Sequence, residues 1–479
     1  MKSYQIHGVT ATPVDVQIDV DFTQPASFDI VGLPELAVRE TRVRVRSALK
    51  QAGRLLPPGR LVVAIDPPIP AGSAVTHLDL PIALAILNQD FDGIVAGELS
   101  LSGAVRPVVG VIAAALRNQP MLVPYDNLWE AQAATAATVR PAESLTQVLD
   151  SLQSDQWPLA FQPEQGVHGH HPLCWSDVRG HDQAKRALEV AAAGGHNAVL
   201  SGAPGTGKTM LARRLPTILP PLTDREAIEV TTVHSIAGLR PARSGLLTQR
   251  PFRAPHHTCS AAALCGGGSV PRPGEVSLAH NGVLFLDELT EFPRSVIETL
   301  RQPLEDGTVT VSHARQTTTT FPASCLVVAA ANPCACGHYG TGEKRCTCSL
   351  DALERYKNRL NGSVMNSFDM RVNLPSFPAE LLRGPVGETS ERVRERVTAA
   401  RQRQVARQGC LNSKMPASKL SNLDEAMGDL LSRACAAYGL GGQQYNQVRR
   451  VAATIADLDG AKETTLVHLA EALQYAGEP

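Results

Sequence analysis

Apolar and polar positions fall into three successive rhythms along the chain. Up to about residue 165, runs of strand character (14–22, 60–65, 121–124) alternate with runs whose apolar residues recur at helical spacing (35–51, 80–87). That alternation predicts a mixed α/β unit. The stretch 151–172 is polar and broken by Pro and Gly, as a linker is. From about 173 to 380, short apolar runs at 197–201, 284–286 and 325–331 read as buried strands. Helices are predicted at 182–193, 210–215 and 294–300, the order that a parallel sheet needs. Two β-prone runs, 308–312 and 317–321, joined through His313-Ala314-Arg315, predict a hairpin. Beyond 381 the period is helical throughout. The expected division is therefore 1–165, 166–380 and 381–479, all within an α/β fold class.

Composition narrows the class without choosing a function. A chain of 479 residues is too long for one core, and 43% apolar with 19% charged residues describes an ordinary globular protein. A formal net charge of −1 excludes bulk polybasic character, so any nucleic-acid surface is local. There is no signal-peptide pattern, and no apolar run approaches the ~18 residues of a membrane span. Ten cysteines are too few for a disulfide scaffold, and four sit in one cluster, which points to a reducing, cytoplasmic setting and a metal site.

The chemistry is concentrated in the middle block. Residues 202–209 read Gly-Ala-Pro-Gly-Thr-Gly-Lys-Thr, the spacing of a loop whose backbone N–H groups close around a triphosphate. Gly202, Gly205, Thr206 and Gly207 form the cradle, Lys208 reaches for the β/γ-phosphates, and Thr209 offers its hydroxyl to Mg²⁺. A strand before the loop and a helix after it aim the helix N-terminus at the phosphates. Downstream, Leu284-Phe285-Leu286 ends in Asp287, suited to hold the metal, and Glu288, suited to orient the attacking water. ATP and Mg²⁺ are the expected ligands.

Cys334-Ala335-Cys336 and Cys346-Thr347-Cys348 place four thiols around a loop containing Gly337, Gly340 and Gly342. Such a set can close a tetrahedral S₄ site around Zn²⁺, structural rather than catalytic because four thiolates leave no open position. Nearby His338 is a substitute ligand, and free thiols or a redox pair are the other readings.

These motifs, with the runs 178–180, 191–196, 252–258, 271–274, 277–289, 300–307 and 332–337, resemble the magnesium-chelatase-like ComM/YifB family of AAA+ proteins over nearly the whole chain. The resemblance implies a Lon-protease-like N-terminal domain, an AAA+ core with a β-hairpin inserted before the sensor strand, and an all-α lid. It implies homo-hexameric rings and, for the ComM branch, ATP-driven branch migration on single-stranded or branched DNA. By the same resemblance Asn332 is the sensor for the γ-phosphate or attacking water. His313 and Arg315, at the predicted hairpin tip, become the candidate DNA contacts.

The Lon resemblance carries no peptidase. Aligned on Leu78-Asp79-Leu80-Pro81, His77 stands where the serine belongs, and Ile112 stands at the lysine position. Lysine is absent between Lys50 and Lys185, so His77 reads as structural. Two basic helices, one carrying Arg39, Arg42, Arg46 and Lys50 and the other spanning 392–407, admit a phosphate-binding or a solvated, salt-bridged reading.

Two departures from the family touch the chemistry. Ser367 occupies the place of an arginine that acts on the neighbouring subunit's nucleotide, and Gln443 that of the second-sensor arginine. Either Arg371, Arg359 or Arg301 substitutes, or turnover is weakened while binding survives. The expectation is a cytoplasmic AAA+ ATPase acting on DNA. The alternatives are a nucleotide-gated hexameric scaffold and a metal-chelatase motor subunit.

Overall fold

The computed structural model describes residues 1–158, 173–240, 243–268, 270–312, 318–340, 344–360, 363–375, 386–420 and 422–477. The N-terminal part is built on a seven-stranded mixed sheet. Its order is Ser27–Val31, Arg60–Asp66, Thr10–Asp21, Lys2–His7, Ile94–Val95, Met121–Pro124, Val139–Ala142. The helix Glu35–Gln51 lies on this sheet through Thr41, Val45, Ala48 and Leu49. The helix Asp79–Ile86 is buried and, after Asp79, apolar on all sides. The basic stripe on Glu35–Gln51 is partly neutralised, because Arg39 pairs with Glu35 and Arg42 with Asp29, leaving Arg46 and Lys50 exposed.

A five-stranded parallel sheet organises the middle of the chain, in the order Phe252–Arg253, Val283–Leu286, Leu326–Ala331, Ala198–Gly202, Met370–Leu374. The three inner strands are fully buried and Val/Leu/Ala-rich, as strands covered on both faces are. All run the same way, with Leu286 opposite Ala329 and Ser201 opposite Ala331. The segments that follow them therefore emerge on one edge, where ligands bind in such sheets. The hairpin is present as Thr308–Ser312 paired with Thr318–Pro322, while His313 and Arg315 at its tip lie outside the described residues.

The helix expected at 294–300 is two pieces, Arg294–Glu298 and Arg301–Asp306. Pro303, in the second piece, has no N–H to offer the carbonyl of Thr299, and Cys265 Sγ lies 3.5 Å from that carbonyl and 3.2 Å from Thr299 Oγ1. Past residue 386 the described regular elements are helical. The helices Ser390–Gln408, Glu425–Tyr438, Gly442–Leu458 and Leu466–Gln474 give Val393, Val397, Leu431, Val451, Ile455 and Leu469 to the same core as Leu200, Val328 and Val372.

The arginines of the helix Ser390–Gln408 serve that packing. Arg396 binds Glu189, Arg401 donates to the Ala192 carbonyl, and Arg403 and Arg407 hold the carbonyl and carboxylate of Asp457. Most of this basic face is an internal staple rather than a phosphate-binding surface.

Candidate nucleotide site and cysteine cluster

The loop after Ala198–Gly202 needs its glycines for a geometric reason. Gly205 and Gly207 have φ of +83° and +89°, left-handed values at which a side chain is strained. They turn the chain into the helix Lys208–Ile218. Lys208 is buried and folds back over the loop, donating to the carbonyls of Gly202 at 2.6 Å and Ala203 at 2.9 Å, and to Asn332 Oδ1 at 3.2 Å. Burial pulls its pKa below the ordinary lysine value, and the charges of Asp287 and Glu288 oppose that pull.

Thr209 Oγ1 donates to Asp287 Oδ2 at 2.9 Å, joining the two oxygens that sequence reasoning assigned to one cation. Lys208, Thr209, Asp287 and Asn332 thus converge from three adjacent strands. Asn332 is held from behind: Tyr356 Oη donates to its carbonyl at 2.8 Å and accepts from Thr290 Oγ1 at 3.1 Å. Tyr356 was not legible as a site residue, since its place depends on how a distant helix folds back.

Glu288 sits at φ +53°, an uncommon conformation for a residue with a side chain. Its side chain is 55% exposed, and its Oε2 lies 3.4 Å from His257 Nδ1. The His257 ring lies tilted against His256, with centroids 4.1 Å apart, and meets Phe292 edge to face. Sequence reasoning noted 252–258 only as a family run. Its place was not readable in the sequence, because the pairing of Phe252–Arg253 with the strand leading to the two acids appears only in the fold.

Ser367 and Gln443 are not brought to Lys208 within this chain. The Ser367 carbonyl accepts from Asn197 Nδ2 at 3.2 Å, and Gln443 Nε2 donates to the Asn366 carbonyl at 3.1 Å. Asn197 precedes the strand whose far end carries the phosphate loop, so both positions lie on the opposite edge of the sheet. There they line a cleft of about 410 Å³ with Ser324, Lys414 and Arg450. Of the three candidate substitutes, Arg301 pairs with Glu305, Arg359 donates to the Thr290 carbonyl, and Arg371 lies beside Asn366 and Gln447.

The four cysteines form one group, with the sulfurs of Cys334, Cys336, Cys346 and Cys348 all within 4.8 Å of one another. Cys334 Sγ is 3.3 Å from Cys336 Sγ and 3.8 Å from Cys346 Sγ, and the latter two are 3.5 Å apart. A tetrahedron with metal–sulfur bonds of about 2.3 Å has an edge near 3.8 Å, so this donor set fits a zinc-class ion. Tyr339 N–H donates to Cys334 Sγ at 3.3 Å. The N–H groups of Thr347 and His338 draw the Cys336 thiol down, while burial and the neighbouring sulfurs hold Cys346 and Cys348 up, so the cluster shares its protons as one group.

His77 is buried, stacked on Tyr4 with its Nε2 2.6 Å from the Tyr4 carbonyl, consistent with its structural reading. Among the described residues no helix is long and apolar enough to cross a membrane.

Residues 174–382 match the family model for magnesium chelatase, subunit ChlI, and residues 387–476 match the model for its C-terminal region. A third model, subunit ChlI of Mg-chelatase, matches residues 16–127. Competence protein ComM of Haemophilus influenzae is 40% identical to the chain, covering 98% of it and 95% of that protein. The uncharacterized protein YifB of Escherichia coli is 38% identical with the same coverage, 98% and 95%.

Proposed function

The chain belongs to the magnesium-chelatase-like ComM/YifB family, and from that premise we propose that it is an ATP-hydrolysing AAA+ motor acting on single-stranded or branched DNA. The observation that carries this reading is the convergence of Lys208, Thr209, Asp287 and Asn332 on one sheet edge, with Glu288 beside them. Lys208 neutralises phosphate charge once it leaves the loop carbonyls. Thr209 and Asp287 would hold Mg²⁺, which would supply neutralisation of phosphate charge. Glu288 orients the attacking water and accepts its proton, and the Asn332 amide steadies that water or the γ-phosphate. Zn²⁺ in the cysteine cluster, a hexameric ring and a cytoplasmic setting complete the proposal.

ATP turnover with and without single-stranded DNA, beside Lys208→Ala, tests it. DNA-stimulated hydrolysis absent from the variant is the expected result. Nucleotide binding with turnover no faster than the variant would overturn the motor.

One observation favours a second reading, a nucleotide-gated hexameric scaffold. The cleft on the opposite sheet edge presents neutral Ser367 and Gln443 where the family resemblance implies arginines. An arginine supplied to a neighbour's phosphate is worth about 10³–10⁵ in turnover in related enzymes. ATP-dependent ring assembly without hydrolysis would select the scaffold. Turnover only with a large chelatase partner would select the metal-chelatase subunit.

A further inference from the structure

The cysteine cluster and the phosphate loop are packed against each other. Asn332, whose side chain accepts from Lys208, lies two residues before Cys334 in the chain. Cys334 is fully buried, and the turn that follows it closes with Gly337 N–H donating to the Cys334 carbonyl at 2.9 Å. Gly337 has φ +83°, and a Cβ there would stand 2.6 Å from Cδ and 2.8 Å from Cγ of Pro204. Pro204 is the third residue of the Gly202–Thr209 loop. The knuckle holding two of the four sulfurs therefore rests on the ring of a phosphate-loop residue, with no room for a methyl group between them.

We propose that the four-cysteine cluster is a metal-dependent clamp on the nucleotide site. A zinc-class ion ties Cys334 and Cys336 to Cys346 and Cys348, fixes the Cys334–Gly337 turn, and thereby fixes Pro204 on one side and Asn332 on the other. Without the ion the four sulfurs carry no shared bond, the turn relaxes, and both contacts with the nucleotide site loosen. Packed interiors pass such displacements on, because they are as dense as crystals of small molecules. The consequence is reciprocal: if metal tightens nucleotide, nucleotide tightens metal by the same factor. In a chain that stays folded without metal, a cluster that only stabilised the fold would not show this link. The inference rests on the cluster binding metal and on the loop binding nucleotide, and each is read separately in the test.

The experiment uses the full chain, stripped of metal and then titrated with Zn²⁺ or with Co²⁺, whose thiolate complexes absorb in the visible. Uptake of one equivalent with tetrahedral cobalt–thiolate bands establishes the site, and its absence removes the metal premise and the clamp with it. Binding of a fluorescent ATP analogue to the loaded protein establishes the loop independently. The expected result is a Kd at least about tenfold weaker in the stripped protein and restored by one equivalent of metal. Release of Zn²⁺ to a chromogenic chelator should be suppressed by saturating nucleotide, with metal affinity changing by the same factor as nucleotide affinity.

Equal nucleotide affinity in stripped and loaded protein overturns the clamp. Gly337→Ala keeps all four thiols but intrudes on Pro204. It should bind the full equivalent of metal while losing about tenfold in nucleotide affinity. Wild-type affinity for both ligands in that variant also overturns the proposal.

Discussion

At the scale of single residues, the chemistry depends on what holds each side chain. Glu288 is half exposed on a left-handed backbone, and His257 is the group whose ring nitrogen faces its carboxylate. The ring nitrogen of His257 meets the site at Glu288, so its effect on turnover is expected to run through that carboxylate. His257→Ala is expected to lower kcat by about tenfold, less than the ~10²–10⁴ a general base supplies, and to leave nucleotide Kd unchanged. Glu288→Gln should remove turnover while preserving binding. A His257→Ala enzyme with unchanged kcat, or with weakened binding instead, refutes the positioning role.

His77 makes a different residue-scale prediction. Burial drives its pKa from 6.5 down to about 4. The native state thus binds fewer protons than the unfolded chain between those values, so this contribution is complete above pH 6.5 and is lost as pH falls through about 4. Asp79, pushed up to about 6 by burial against its Arg44 pairing, has the opposite slope and blunts a global melting curve. The imidazole C–H resonance of His77 is therefore the proper readout, and it should not titrate between pH 7 and 5. A midpoint near 6.5 would contradict its buried, neutral state.

At the scale of elements, the loop and the acidic strand were legible because spacing and flanking runs report local structure directly. Lys208, Thr209, Asp287 and Asn332 lie together at one sheet edge, after a loop whose Gly205 and Gly207 take positive φ. Tyr356 and His257 were not legible, since nothing local marks a tyrosine that folds back onto the residue after the strand Leu326–Ala331. The basic helix Ser390–Gln408 shows the complementary failure, because charge periodicity does not reveal a partner far along the chain. Arg407 holds the buried Asp457 carboxylate at 2.7 and 2.9 Å, with Asn412 Nδ2 donating to it at 2.8 Å. Arg407→Ala leaves that carboxylate with the amide alone. The expected cost is about 2 kcal/mol, below the ~3–5 kcal/mol of a fully buried pair because Arg407 is half exposed. Thermal denaturation beside Arg392→Ala, on the exposed side, checks it. Equal stability of the two variants would return the arginines to a surface role.

At the scale of the whole molecule, the N-terminal part is fastened to the parallel-sheet core by polar groups that no sequence period announces. Gly110 N–H donates to Ser235 Oγ at 3.1 Å, Arg243 pairs with Asp126 at 2.7 Å, and a Cβ on Gly8 would lie 2.9 Å from the Thr320 carbonyl of the inserted hairpin. At the centre Arg240 meets Glu130, with side chains 8% and 3% exposed. Arg240 also donates to the carbonyls of Ser244 and Gly245, and Glu130 accepts from Asn127 Nδ2 at 2.6 Å. A pair this buried is strongly destabilising to break from one side, since the surviving charge stays desolvated without its partner. Replacing both ends with apolar groups of similar volume removes that penalty. Arg240→Met alone and Glu130→Leu alone should each cost about 3 kcal/mol and split calorimetric unfolding into two transitions as the N-terminal part releases first. The double variant should recover most of the loss and a single transition. Additive losses would mean that the two side chains stabilise the junction independently, through the Ser244 and Gly245 carbonyls and the Asn127 amide rather than through each other.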